Sequence, residues 1–120
     1  MELSKRLEMV AGLVTQERIA DIGTDHGYVP IYLYKKGRIK KAYACDVRKG
    51  PLEKCKKNIA LYGAEDVIET RLGSGLTPLK AGEAETAIMA GMGGMLIVHI
   101  LQDSPEVAAS LTELVLSPQR

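Results

Sequence analysis

The feature that most limits what this chain can fold into is its alternation of short strand-like runs with helix-like segments. RIADIG (18–23), KAYACDV (41–47), VIETRLG (67–73), ETAIMAGM (85–92) and LTELVLSPQ (111–119) are brief apolar runs bounded by glycine, proline or charge. LSKRLEMVAGLV (3–14) instead sets Leu3, Leu7, Val10, Leu13 and Val14 on one helical face. HGYVPIYLYKKG (26–37) reads as a helix closed by Gly37, with Pro30 tolerated in its first turn. KGPLEKCKKNIALYG (49–63) carries Pro51 near its start and Gly63 as its stop, and GGMLIVHILQD (93–103) opens on glycine. Such an alternation with short connections implies an α/β fold, a parallel sheet with helices on both faces and right-handed crossovers. Ligands of such sheets bind at the carboxyl ends of the strands. Residues 23–27, 46–48, 73–76 and 91–95 are therefore where chemistry is expected.

The 120 residues suit one domain, 1–120, and 46% apolar with 26% charged residues is an ordinary globular composition. No apolar run approaches a membrane span, and the charged N-terminus MELSKRLEMV lacks a signal peptide's apolar core. Cys45 and Cys55 form no CxxC pattern and read as reduced structural thiols of a cytoplasmic protein. No His, Cys, Asp and Glu set has metal-ligand spacing, and no Ser/His/Asp arrangement is recognisable, so no metal is expected and no catalytic residue is named. Charge is uneven: residues 1–60 hold 13 Lys/Arg against 7 Asp/Glu, and residues 61–120 hold 3 against 8. The basic runs YKKGRIKK (34–41) and RKGPLEKCKK (48–57) read first as a solvated face, with a phosphate-attracting patch as the alternative. Five Tyr and no Trp or Phe supply little for base stacking.

The first loop, Gly23-Thr24-Asp25-His26-Gly27, decides the kind of ligand. A dinucleotide fingerprint G-x-G-x-x-G would place glycine where Asp25 stands, so that backbone amides could close on a pyrophosphate. Two like charges about 4 Å apart repel by roughly 4 kcal/mol at an effective dielectric of about 20. Asp25, aided by Asp21, thus opposes a pyrophosphate and favours a cationic ligand. S-adenosylmethionine carries an amino group and a sulfonium and no phosphate, and its own carboxylate can meet the following helix N-terminus. The structural alternative is that Asp25 caps that helix and Gly23 only turns the chain. Asp46, 19 residues beyond Gly27, can accept ribose hydroxyls, a role equally suited to NAD. LGSGL (72–76) would border a flat base, with Ser74 offering a hydroxyl, and AGMGGM (90–95) lets the backbone come close to a ligand or to its own helix start. His26 is read as an orienting or capping residue, His99 as packing or solvent edge, and Met89, Met92 and Met95 as core or pocket lining.

ADIGTDHGYVPIYL, ACDV, RLGSGL and IMAGMGGMLIVHIL together resemble the bacterial tRNA adenine-22 N1-methyltransferases, along almost the whole chain. The resemblance implies a class I S-adenosylmethionine enzyme with a Rossmann-like sheet and tRNA as partner. It implies that Asp21, Gly23, Thr24, Asp25, His26 and Gly27 hold the methionine half of the cofactor. Asp46 would hold the ribose with Val47 beside the adenosine, and Gly73, Ser74, Gly75 and Leu76 would border the adenine. Gly91, Met92 and Gly93 would line the entrance for the target base, Gly91 and Met92 also touching cofactor. Ser74 departs from the family's acidic residue, which implies weaker cofactor affinity. The family continues into more sheet and a C-terminal helical domain thought to grip tRNA, so the chain is expected to be a catalytic domain truncated after its fifth strand. The implied reaction is in-line attack of adenine N1 on the sulfonium methyl, driven by positioning and desolvation. Two rivals stand beside it: an NAD(P)-linked oxidoreductase on the same sheet, and a non-catalytic cofactor-binding fragment.

Overall fold

A computed structural model describes residues 2–118. Its elements in chain order are α1 (Lys5–Leu13), β1 (Arg18–Ile22), α2 (Tyr28–Lys35), β2 (Lys41–Asp46), α3 (Lys49–Leu61), β3 (Ile68–Leu72), β4 (Thr86–Met92), α4 (Gly94–Asp103), α5 (Pro105–Ser110) and β5 (Glu113–Pro118). The five strands are all parallel, in the order β3-β2-β1-β4-β5. The chain lays down β1, β2 and β3 in one direction and then crosses back to place β4 on the other side of β1. The crevice between the ends of β1 and β4 is therefore the switch point at which such sheets bind ligands.

Side chains on successive strand residues point to opposite faces, and both faces here are apolar. Ile19, Ala42, Ala44, Ile88 and Val115 face α1, α2 and α3, meeting Val10, Leu33, Leu52 and Ile59. Ala20, Ile22, Tyr43, Cys45, Ala87 and Met89 face the other way, against Ile97 and Ile100 of α4 and the loop residues Leu76 and Leu79. The parallel α/β sheet with helices on both faces expected from the alternation, and the Rossmann-like form implied by the resemblance, are thus observed.

Two features of the fold were not expected, and the link between β3 and β4 is irregular, as its lack of a helical pattern implied. A short helix, α5, occupies Pro105–Ser110, where no element was foreseen. No helix covers the β3–β4 crossover; residues 73–85 pass as turns, with Leu76 and Leu79 buried. This loop is held by Arg71 at the end of β3, whose guanidinium donates to both Glu83 carboxylate oxygens at 2.6 and 2.8 Å. Those bonds, against the opposing effect of burial, draw the Glu83 carboxyl down to about 2. The second unexpected feature is that the fifth strand begins later than the sequence pattern suggested, at Glu113; residue 119 of the expected strand lies outside the described residues.

The basic run at 34–41 sits at the amino ends of the strands, opposite the switch point. Lys35, Lys36 and Lys41 lie over the rings of Tyr62, Tyr32 and Tyr43 at 4.9, 5.4 and 5.5 Å. These ammonium groups have aromatic partners within the fold, which favours the solvated-face reading of that run.

Candidate functional site at the switch point

Two cavities open at the carboxyl ends of the strands, and they share Gly23. The larger, about 450 Å³, is walled by the turns after β1, β2 and β3 and by one side of α4. The smaller, about 160 Å³, lies between α1, the loop after β1 and the start of α2. Gly23 has φ +75°, and a Cβ there would meet the Met92 side chain at 3.0 Å. Gly23 and Met92 thus form a low saddle between the cavities.

The smaller cavity is charged. It holds Asp21, Thr24 and Asp25 on one side and Arg6 of α1 on the other, with Tyr28 and Val29 from the first turn of α2. Asp21 is buried at the end of β1, and its Oδ2 accepts the Thr24 hydroxyl at 3.0 Å. Desolvation pushes the Asp21 carboxyl from its ordinary 3.8 to about 7, with the Thr24 bond working against the rise and the nearby Asp46 charge adding to it. A cation delivered into this cavity would favour the ionised form. Asp25 has φ 57°, the one positive value outside glycine among the described residues. Its N–H donates to Asp46 Oδ2 at 2.9 Å, and its carboxylate lies 3.7 Å from the Arg48 guanidinium and 3.8 Å from His26 Nδ1.

The larger cavity is mainly apolar, lined by Ile22, Val47, Leu76, Leu96 and Ile100, with Gly73, Ser74 and Gly75 at one wall. The loop presses on α4, since a Cβ on Gly75 would stand 3.1 Å from Ile100. Asp46 is 3% exposed at the β2 end of this cavity. Burial disfavours its charge, but the N–H groups of Arg48 and Asp25 and the Arg48 guanidinium outweigh that and hold its carboxyl below the usual range. This carboxylate is not the exposed strand-end group of the simpler reading; it ties the first loop to the second.

The structure gathers most of the residues expected at the site and leaves four outside both cavities. Gly23, Asp46, Val47, Gly73, Ser74, Gly75, Leu76 and Met92 meet in the larger cavity, and Asp21, Gly23, Thr24 and Asp25 in the smaller. His26, Gly27, Gly91 and Gly93 line neither. Gly27 has another duty: a Cβ there would stand 2.5 Å from Cys55 Sγ, so its glycine lets α2 start against α3. His26 packs on Tyr28 with ring centres 5.5 Å apart, and its carbonyl accepts Asn58. Gly91 forms the irregularity where β4 leaves the β5 register, with the Arg6 guanidinium against it. Gly93 caps α4.

Several lining residues were missed. Arg6 comes from a helix distant in sequence from the loops. Arg48, Thr77, Leu96, His99, Ile100, Asp103 and Ser104 complete the larger cavity. His99 is exposed, in keeping with its solvent-edge reading, and also lines the larger cavity. Met95 is a correction, being 75% exposed rather than core or pocket lining. Among the described residues, no group of three or more His, Cys, Asp or Glu could hold a metal ion, and no helix is long and apolar enough to cross a membrane.

A doubly wound parallel sheet with an apolar, glycine-walled cavity and an acidic annex at its switch point defines a nucleoside-binding α/β domain. The chain belongs to the methyltransferase domain family, whose model matches residues 3–120. It is 37% identical over 119 residues to the tRNA (adenine(22)-N(1))-methyltransferase of Bacillus subtilis, covering 98% of this chain and 50% of that protein. A Streptococcus pneumoniae candidate tRNA (m1A22) methyltransferase, crystallised in complex with S-adenosyl-L-methionine, superimposes with a TM-score of 0.93 at 39% identity, covering 98% of this chain and 56% of that one. TrmK of M. capricolum, in complex with the cofactor product S-adenosyl-homocysteine, gives a TM-score of 0.79 at 38% identity, covering 86% and 47%. The chain thus spans about half the length of these relatives.

Proposed function

We propose that this domain binds S-adenosylmethionine across the Gly23 saddle and serves in methylation of adenine N1 in tRNA, at position 22, in the cytoplasm. The observation that carries the reading is the junction of two unlike cavities at one glycine. The cofactor has the same division, an adenosine without phosphate joined to a short zwitterionic amino acid. Asp21 and Asp25 would attract its amino group, and Arg6 with the first N–H groups of α2 would receive its carboxylate. Val47, Leu76 and Ile100 would enclose the adenine, and Asp46, held ionised, would accept ribose hydroxyls with the lone pairs its present donors leave free.

When bound, the cofactor supplies an electrophilic methyl on sulfur. The chain's own part would be to hold the ligand at both ends, which would leave the reacting centre near Gly23 and Met92. Met92 and the neighbouring Gly91 and Gly93 would bound the approach of the target base and keep water from it. The reading names no residue as the base that takes the proton.

The oxidoreductase reading is disfavoured by the family match and by acidic groups where a pyrophosphate would lie. The test is thermal shift of the chain with S-adenosylhomocysteine and with NAD. Stabilisation by the first alone is expected; stabilisation by NAD alone overturns the assignment. Transfer of labelled methyl to unmodified tRNA then separates an active domain from a fragment that only binds cofactor.

A further inference from the structure

The larger cavity holds more polar chemistry than the residues discussed so far require. A purine with an exocyclic amino group needs an acceptor at its edge, because an amino group buried without one loses its hydrogen bonds to water. Asp46 is a poor candidate, since it already takes the N–H groups of Asp25 and Arg48 at 2.9 Å each and the Arg48 guanidinium at 3.3 Å. Thr77 donates its hydroxyl to the Ser74 carbonyl at 2.6 Å and can still accept, but like Ser74 it is a neutral and weaker acceptor than a carboxylate. The carboxylate of this cavity besides Asp46 is Asp103, on α4.

Asp103 is well placed. Leu96, His99 or Ile100, and Asp103 recur at one-turn spacing along α4 and all line the larger cavity, so the carboxylate ends the stripe that this helix turns to it. Ile100, one turn earlier, packs on Gly75, which brings Asp103 to the side of the cavity bordered by Gly73–Gly75. Asp103 is exposed, and among the described residues no hydrogen bond or ion pair takes up its carboxylate. It is also the last residue of α4, where the helix dipole disfavours negative charge. Its position therefore does not serve helix stability.

We propose that Asp103 is the specificity residue of the larger cavity, accepting a hydrogen bond from the exocyclic amino group of the cofactor's purine. The inference rests on the S-adenosylmethionine reading above. It makes adenine recognition a task of α4 rather than of the loop after β3.

The experiment is calorimetric titration of the 120-residue chain with S-adenosylhomocysteine and with S-inosylhomocysteine, whose purine has an oxygen in place of the amino group. The wild-type chain is expected to prefer the adenosyl ligand by roughly 10- to 100-fold, the scale of one charge-assisted hydrogen bond. Asp103→Ala removes that preference by weakening the adenosyl ligand only. Asp103→Asn, whose amide can either accept or donate, brings the two ligands close to parity. Ser74→Ala, which alters the same wall, weakens both ligands by a similar factor and so keeps the preference between them. An unchanged preference in Asp103→Ala, or its loss in Ser74→Ala, overturns the assignment while leaving the cofactor reading intact. A wild-type chain that binds neither ligand overturns both.

Discussion

The two cavities meet at one glycine but are built on opposite principles. The larger, some 450 Å³, is made of loop backbone and apolar side chains, and its one buried carboxylate is held ionised by donors from Asp25 and Arg48. The smaller, about 160 Å³, is lined by charges: Asp21 with its carboxyl raised to about 7, Asp25 at φ 57° with its carboxylate 3.7 Å from the Arg48 guanidinium, and Arg6. In the proposed reading the first takes the flat nucleoside and the second the zwitterionic end, so a ligand with both ends profits from both.

The comparison can be broken most severely at Gly27, which lies outside both cavities. Gly27→Ala adds a Cβ 2.5 Å from Cys55 Sγ at φ +80°. Left-handed strain and overpacking together should lower unfolding stability by about 2–4 kcal/mol in urea titration. Cys55→Ala in the same chain should recover part of the loss by opening the contact. If Gly27→Ala is as stable as wild type, the glycine is not a packing residue.

Asp46→Ala separates the ends of the ligand. Loss of a charged acceptor should weaken S-adenosylhomocysteine by about 1.5–3 kcal/mol, and 5′-methylthioadenosine, which keeps the ribose, by a similar amount. Equal affinity in calorimetry would remove Asp46 from the ribose.

A further effect concerns pH. Asp21 holds its proton in the folded chain up to about 7 but loses it near 3.8 when unfolded. Its contribution to stability is present below 3.8 and is lost as pH rises toward 7, because the unfolded chain releases the proton first. Asp21→Asn should therefore flatten the fall in melting temperature between about pH 4 and 7. An ammonium beside Asp21 favours the ionised form, so affinity for S-adenosylhomocysteine should rise through pH 7 in wild type and stay level in the variant. A pH profile identical in both chains would contradict the placement of the amino group.

Much of this was legible in the sequence. Period-two and helical patterns located nine of the ten elements, because each buries a face whose spacing leaves a trace. α5 was missed although Ser104, Pro105 and Glu106 form a helix-start signal, since a six-residue helix offers too short a pattern to outweigh loop composition. The loops after the strands marked the site, as parallel-sheet topology requires. The residues facing them from α4 did not stand out: Leu96, Ile97, Val98, Ile100 and Leu101 are apolar nearly all round the helix, so only packing decides that Ile97 turns inward and His99 and Asp103 line the cavity. Arg6 was invisible for a different reason. Its place is fixed by how α1 lies across the sheet, and no spacing in the chain records that.

The central claim, that the two cavities form one site for an adenosyl amino acid, is tested most directly by calorimetry with S-adenosylhomocysteine and 5′-methylthioadenosine on wild type and Arg6→Ala. The account predicts that wild type favours the amino-acid-bearing ligand by about 100-fold, and that Arg6→Ala removes about tenfold of this while leaving the shorter ligand unaffected. Equal binding of both ligands to wild type would contradict it.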